Sequence, residues 1–575
     1  MTGFTQEAEV TVRYHALACD YDGTIAHHGR VSESTLSALR RTQESGRRII
    51  LVTGRRIDDL YVACPEADVF DCIVAENGAV FYDPRRRREV LLSDRPDPQF
   101  VSDLKRRGVM PVDVGRAVVA TWEPHESAVM EAIHHSGLEL QMTFNKGAIM
   151  ILPSGVNKNS GLRTALRWLG LSPHNTIGVG DAENDHAFLM LCEFSAAVAN
   201  ALDSIKSRVD LVTRRDHGGG VEDLIEELLR DDLRSHDHHV RRHDIRVGVD
   251  ENGAPIQIPP FGTRALISGP SGSGKSTIVS GLLERLAGAE YQFCVIDPEG
   301  DYENLDEPVN VGDETLPPAA DQVLQLISKG ENTVVNLLSV PVPDRPAFAG
   351  RLLQRIQSIK QHIGLPHWLL LDEAHHMLPA GQTPHANGDQ FGSEVLVTVH
   401  PRSIDPKALE SINVAVIVGP NAQRTLEECS AVLGRPVEPI SGDVQGLEVL
   451  LWFCKDSQKA IRMHVEPAEA ERRRHRRKYA EGDLREKSFI FRGPEDRLKL
   501  RAQNLALFVQ IAEGVDEVTW QHHLEAGDYS AWVRSAIKDE LLADEIAEIE
   551  RAGLAPAESL EHIRAAIERL YTGAV

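Results

Sequence analysis

The sequence predicts an α/β protein with two successive sheet-bearing parts and a small all-helical segment at its end. Three observations predict it. Short β-branched runs alternate with helical patterns through the first 230 residues, a second alternation runs from about 245 to 465, and beyond that the strands stop.

In the first part, "HALAC", "RIILVTG", "CIVAEN", "AIMILP" and "TIGVGD" read as strands of a parallel sheet covered by helices. Between them, "VSESTLSALRRTQESG" places Leu36 and Leu39 on one helical face and stops at Gly46. The stretch from Tyr82 to Gln141 reads as strand, helix, strand, helix and looks inserted. The expected organisation is therefore a domain over 1–230 with an α+β cap at about 82–150. A linker over 231–244 follows, because "DDLRSHDHHVRRHD" is charged and lacks apolar periodicity. The second domain spans 245–465, with strands at "RALISG", "QFCVID", "TVVNLLS", "HWLLLDE", "VLVTVH" and "NVAVIVG". Residues 466–575 read as a helical domain, with Phe508, Trp520, Tyr529 and Trp532 in its core.

At 575 residues the chain is too long for one core, so several domains are expected. The 86 acidic residues exceed the 62 basic ones, for a net charge of -24, which argues against indiscriminate coating of nucleic acid and leaves a local basic channel open. Seven scattered cysteines lack the close spacing of a zinc or redox motif and point to a reducing compartment. No apolar stretch reaches the roughly 18 to 20 residues of a membrane span, and "MTGFTQEAEV" lacks a signal-peptide pattern. The expected location is cytoplasmic, with no membrane partner.

Asp20 and Asp22 stand where an apolar strand gives way to Gly23, at the strand end where open α/β sheets bind ligands. Two carboxylates that close repel each other and call for a hard cation, and Mg²⁺ with a substrate phosphate fits. Further motifs follow in order: Thr53 and Gly54 closing "IILVTG", Lys158 in "SGVNKNSGL", and "GDAEND" from Gly180 to Asp185.

Together with Asp20-Tyr21-Asp22-Gly23-Thr24, this set resembles the haloacid dehalogenase (HAD) superfamily, and within it the Cof-type phosphatases. The resemblance implies a HAD Rossmann-like domain with an inserted cap. It implies Asp20 as the nucleophile that forms an aspartyl-phosphate, and Asp22 as the acid and base that completes hydrolysis. Thr53 and Lys158 would bind the phosphoryl oxygens. The implied Mg²⁺ ligands are the Asp20 carboxylate, the Asp22 backbone carbonyl and Asp181, with Asp185 in support. The expected substrate is a phosphorylated small molecule or nucleotide, and the cap sequence singles out neither.

"RALISGPSGSGKSTIVSGLL" supplies strand, glycine-rich loop and helix, the context of an ATP cradle. Gly269, Gly272 and Gly274 let the backbone close around phosphates, at a helix N-terminus that already favours anions. Lys275 is expected at the β and γ phosphates, Ser276 on Mg²⁺, and Thr277 follows in the same ATP-binding motif. In "HWLLLDEAHHML" a buried strand ends in Asp372, expected to hold the metal, and Glu373, expected to orient and deprotonate water. That pair favours ATP hydrolysis.

"VIDPEGDY" and "VTVHPRSIDPKALESINVAVIVG" extend a resemblance to the HerA/FtsK group of P-loop (RecA/ASCE-like) ATPases over about 245–465. It implies a homo-oligomeric ring, a hexamer being one form, and a γ-phosphate sensor where His400 stands in place of the usual Gln. It also implies an arginine finger, for which Arg402, Arg424 and Arg435 are candidates. "DEAH" alone does not make a superfamily 2 helicase, since the other ordered helicase motifs are missing.

The leading expectation is a bifunctional hydrolase, a Mg²⁺-dependent phosphatase joined to an ATPase. One alternative is a nucleic-acid-processing or phage-defence machine whose phosphatase acts on DNA ends or nucleotides. Another is a metabolite phosphatase with a nucleotide-sensing P-loop. The basic run Arg472–Lys478 reads first as a solvated helix face or junction.

Overall fold

The computed structural model describes residues 12–145, 147–302, 305, 308–381, 392–440, 444, 446–466, 468, 488–537 and 540–569. The chain divides into two compact units, Met1–Glu466 and Pro467–Val575.

The first unit is built on two large sheets. One has eight strands in the order Leu211–Val212, Phe194–Ala197, Thr176–Gly180, Ala16–Cys19, Arg48–Val52, Cys72–Ala75, Val80–Asp83 and Arg88–Leu91. The first six are parallel and the last two antiparallel. Its central strands are buried on both faces, which is why they read as unbroken apolar runs. The helix Glu33–Glu44 buries Leu36 and Leu39, is capped by Ser32, and is followed by Gly46 at φ +89°.

The inserted sheet differs from expectation in two ways. "AIMILP" is not in the parallel sheet: Ala148–Pro153 pairs antiparallel with Leu140–Asn145 and Val119–Trp122 in a separate four-stranded sheet edged by Asp113–Val114. The hairpin at 80–91, expected inside a cap of 82–150, extends the main sheet instead, because Val80–Asp83 pairs back onto Cys72–Ala75. Helices Pro98–Arg106 and Glu126–Ser136 cover the small sheet through Phe100, Leu104, Val129 and Ala132 against Ile151.

The segment 231–244, expected as a linker, is packed. Leu233 and Val240 enter the core of the eight-stranded sheet, and buried Asp232 accepts from the Arg13 amide and from Arg47 Nη2 at 2.8 Å.

The second sheet has eleven strands. Seven are parallel, in the order Val414–Val418, Arg264–Ser268, Ser393–Thr398, Trp368–Leu371, Phe293–Asp297, Thr333–Asn336 and Val309–Val311. Beyond Val414–Val418, four antiparallel strands are added: Glu448–Phe453, Ile461–Val465, Ile245–Val249 and Pro255–Ile258. One strand, Ser393–Thr398, therefore separates the strand before the glycine-rich loop from the strand that ends at Asp372.

In the second unit, helices Leu505–Ala512, Glu517–Ala526, Asp528–Trp532, Glu540–Arg551 and Pro556–Ile567 surround Phe508, Trp520, Tyr529 and Trp532. Contrary to expectation, strands do not stop at 465. Phe489–Phe491 and Leu500–Ala502 form a hairpin too short to register as a periodic pattern. Arg472–Lys478 lies outside the described residues. Among the described residues no helix is long and apolar enough to cross a membrane, and all seven cysteines are buried and free.

Candidate active sites at two sheet rims

At the rim of the eight-stranded sheet, Asp20 follows Ala16–Cys19 and its amide donates to the Val179 carbonyl at 3.0 Å. Its carboxylate is buried. Lys158 Nζ donates to Asp20 Oδ1 at 2.5 Å and to Asp185 Oδ1 at 2.6 Å, and the Thr24 hydroxyl donates to Asp20 Oδ2 at 3.1 Å. Lys158 opens the helix Lys158–Leu169, whose start is fixed by the Asn157 cap. Asp185 Oδ2 accepts from the amides of Asp181 and Ala182 at 2.8 and 2.9 Å.

The carboxylates of Asp20, Asp181 and Asp185 present ligand oxygens within 4.8 Å of one another, a hard-donor set suited to Mg²⁺. Burial and the neighbouring Asp185 raise the Asp20 pKa despite Lys158. Burial opposes the Lys158 charge, but Asp185 and Asp20 outweigh it and raise its pKa. Gly180 is required here: a Cβ would fall 2.7 Å from Asp185 Oδ2.

Asp22 is turned to a different partner. Arg55 grips it at two points, Nε to Oδ2 at 2.7 Å and Nη2 to Oδ1 at 2.6 Å, at a partly exposed position. Thr53 is buried, and its hydroxyl accepts from the Arg55 amide at 3.1 Å, leaving its own proton to donate. Sequence reasoning passed over Arg55, although it directly follows Thr53-Gly54.

It also passed over Glu76 and Asn77, both at φ near +50° after the strand Cys72–Ala75. The Glu76 carboxylate accepts from the amides of Arg116, Ala117 and Val118 at 2.9, 3.0 and 3.2 Å and so pins the inserted sheet. Asn77 Oδ1 accepts from Asn184 at 3.1 Å, and its amide reaches the Met150 sulfur, bringing the inserted sheet to this rim.

At the second rim, the glycine-rich loop follows Ser268. A Cβ on Gly269 would lie 2.3 Å from the Val418 carbonyl, while Gly272 and Gly274 hold φ of +74° and +96°. Lys275 opens the helix Lys275–Gly288, with Nζ donating to the carbonyls of Gly269 and Pro270 at 3.1 and 3.0 Å. Thr277 follows, half-buried. The Ser276 hydroxyl donates to Asp301 Oδ2 at 3.0 Å, a partner not singled out from the sequence.

Asp297 ends its strand and accepts from the amides of Glu299, Gly300 and Tyr302, fixing the loop that carries Asp301. Burial, with Glu373, Asp297 and Asp301 nearby, pushes Asp372 up to about 7. Burial likewise raises Glu373. His400 is exposed beyond Ser393–Thr398, its amide donating to Thr398 Oγ1 at 2.9 Å. Arg435 is engaged internally by the Glu410 and Ile412 carbonyls and Cys454, whereas Arg402 and Arg424 are exposed.

A further metal-type group, His174, Glu193 and His243, is engaged within itself and by neighbouring groups. His174 Nδ1 faces Glu193 Oε2 at 2.7 Å, His174 Nε2 faces the Ala289 carbonyl at 2.8 Å, and Arg13 Nη2 donates to Glu193 Oε1 at 2.6 Å.

A family model described as haloacid dehalogenase-like hydrolase matches residues 17–106 and 120–225, and one described as the central domain of helicase HerA matches 245–481. The phosphoglycolate phosphatase of Methanothermobacter thermautotrophicus is 31% identical over 224 residues, covering 37% of this chain and 98% of that protein. The phosphoglycolate phosphatase of Methanobrevibacter smithii is 27% identical over 230 residues, covering 37% and 98%. A solved haloacid dehalogenase-like hydrolase from Bacteroides thetaiotaomicron is similar at 17% identity and a TM-score of 0.33, over 38% of this chain and 100% of that one.

Proposed function

The chain belongs to the haloacid dehalogenase-like hydrolases, and on that premise we propose a hydrolase with two independent sites. One is a magnesium-dependent phosphomonoesterase acting through an aspartyl-phosphate on Asp20. The other is a HerA-type ATPase built on Lys275, Ser276, Asp372 and Glu373. The observation that carries the first reading is the Lys158 ammonium bridging Asp20 and Asp185, with the Asp181 carboxylate alongside.

Asp20, Asp181 and Asp185, with the Asp22 backbone carbonyl, would hold Mg²⁺, and Ser276 with Asp372 would hold the ion that accompanies ATP. When bound, such an ion draws charge from the phosphoryl oxygens and lets Asp20 approach them. Asp20 attacks phosphorus as the bond to the leaving oxygen breaks. Asp22, released from Arg55, gives that oxygen a proton and then takes one from the water that cleaves the aspartyl-phosphate. Lys158 and the Thr53 hydroxyl donate to the phosphoryl oxygens as charge builds. In the second site Glu373 takes the proton of the water that attacks the γ-phosphate.

Small phosphomonoesters are the proposed substrates, with phosphoglycolate first to be tried because relatives so named align over nearly their whole length. A cytoplasmic homo-oligomeric ring is the proposed assembly. The helicase description of the second family match supports an alternative in which DNA engages the ATPase.

The test is a phosphatase screen over phosphoglycolate, sugar phosphates, nucleotides and 3'-phosphorylated DNA, with and without Mg²⁺, ATP and duplex DNA. Magnesium-dependent phosphate release that Asp20→Asn abolishes is the expected result. ATP turnover strongly stimulated by DNA would favour the nucleic-acid reading. Efficient sugar-phosphate cleavage beside slow, unstimulated ATPase would favour a nucleotide-sensing P-loop.

A further inference from the structure

We propose that His375, paired with Thr398, is the positioning residue that holds Glu373 for attack on ATP. The inference rests on the ATPase reading above.

Glu373 leaves its strand in a left-handed conformation, φ +40° and ψ +52°, which costs a non-glycine residue of the order of 1 kcal/mol and persists only where surroundings enforce it. Its Oε2 is buried without a hydrogen-bond partner. His375 Nδ1 lies 3.3 Å from that oxygen, off line for a good hydrogen bond, and 3.1 Å from Thr398 Oγ1. A proton on Nδ1 would point to the Thr398 hydroxyl, with the carboxylate oxygen beside it at 3.3 Å. The Val399 amide also faces Glu373, so the end of Ser393–Thr398 steers both sides of the group.

Thr398 is fully buried and pairs in register with Ser268, the residue before the phosphate cradle. A short polar path therefore runs from the cradle strand through Thr398 and His375 to Glu373. Burial, with the charges of His376 and His400, pushes His375 down to about 4, which keeps the imidazole neutral beside a carboxylate that must stay basic. Oε2, under-satisfied by the protein, is free to accept a water proton as the new oxygen–phosphorus bond forms and the bridge to ADP breaks. His400 reaches this path through its main chain, with its ring edge-on to His375 at 5.4 Å.

The full-length chain tests this with His375→Ala, His375→Asn, Thr398→Val and Glu373→Gln, measuring kcat and KM for ATP together with the affinity for a non-hydrolysable analogue. Loss of an orienting partner is expected to lower kcat about ten- to a hundredfold, with KM and analogue affinity nearly unchanged. His375→Asn, which keeps a donor near the Nδ1 position, should recover part of the rate. Thr398→Val, nearly isosteric, should show the same split at smaller size, which separates positioning from misfolding. Wild-type kcat in His375→Ala, or a loss of nucleotide affinity that accounts for the whole defect, would overturn the proposal. If Glu373→Gln itself retained turnover, the ATPase reading beneath it would fail instead.

Discussion

Asn175 and His367 stand at the feet of strands from different sheets, and His367 Nε2 donates to Asn175 Oδ1 at 3.1 Å. The Gln292 amide occupies His367 Nδ1 at 2.8 Å, which fixes the proton on Nε2. From Asn175 the strand Thr176–Gly180 leads to Asp181, and from His367 the strand Trp368–Leu371 leads to Asp372 and Glu373. Beside this pair His174 stacks on Tyr291 at 3.7 Å, and the Tyr291 hydroxyl donates to Glu193 Oε2 at 2.7 Å. The two sheets of this unit therefore meet at the bases of the strands that lead to the two rims. Each rim lies roughly 15 Å from that seam, at about 3.3 Å per residue.

Glu193 is the counter-charge of the seam. The His174 ring nitrogens face Glu193 Oε2 and the Ala289 carbonyl, and Arg13 supplies a buried cation to the same carboxylate. Burial opposes the Glu193 charge, but the His174 hydrogen bond and Arg13 hold its carboxyl well below the usual range. Glu193→Gln should cost about 3–5 kcal/mol, since it removes the buried carboxylate partner of the Arg13 guanidinium. Urea titrations followed by each activity should then lose both together, at a lower midpoint than wild type.

Separate rims predict separable chemistry. Asp20→Asn should reduce phosphatase turnover to background and leave ATP hydrolysis intact, and Lys275→Ala should do the reverse. Parallel assays on purified variants decide it. Loss of both activities in either one would mean obligatory coupling through the seam.

Gly180→Ala tests the magnesium geometry without replacing a ligand. The added carbon would press on Asp185, which anchors the Asp181 amide and Lys158. The magnesium concentration for half-maximal phosphatase rate should rise about tenfold or more, while ATP turnover is unchanged. An unaltered magnesium titration would exclude Asp185 from the metal's support.

Glu394, buried in Ser393–Thr398, gives stability a pH dependence. Burial pushes its pKa from the ordinary 4.5 up to about 7, with Arg264 opposing. The folded chain thus keeps a proton that the unfolded chain releases between those values, so this group's contribution falls as pH rises from 4.5 to 7. The shift corresponds to the order of 3 kcal/mol. Denaturation midpoints compared between wild type and Glu394→Gln should converge at low pH and diverge toward neutrality, with the variant the more stable.

Much of both rims was legible because chemistry restricts residue type at strand ends. Asp20, Lys158, Asp181 and Asp185 are far apart in sequence, yet the structure gathers them in one hydrogen-bonded group. The partner of Asp22 was not legible, since Arg55 and Arg56 are equivalent in composition and only the turn after Thr53 aims one of them. The packed segment 231–244 was hidden for a related reason. The partners of its Asp232 and Arg242, Arg13 and Asp210, lie far away along the chain, so its charges looked solvated. The hairpin at 80–91 shows the same alternation in either sheet, and pairing alone assigns it. The resemblance to the HerA/FtsK group pointed to His400 as a γ-phosphate sensor, while the turn at Glu373 that brings His375 to the carboxylate leaves no mark in the sequence.

The measurement that bears most directly on the central claim is rapid-quench trapping with a radiolabelled phosphomonoester in Mg²⁺, followed by mapping of the labelled peptide. The account predicts a transient, acid-stable label on the peptide bearing Asp20, lost in Asp20→Asn. Phosphate release at full rate with no label on that peptide, or with the label elsewhere, would contradict it.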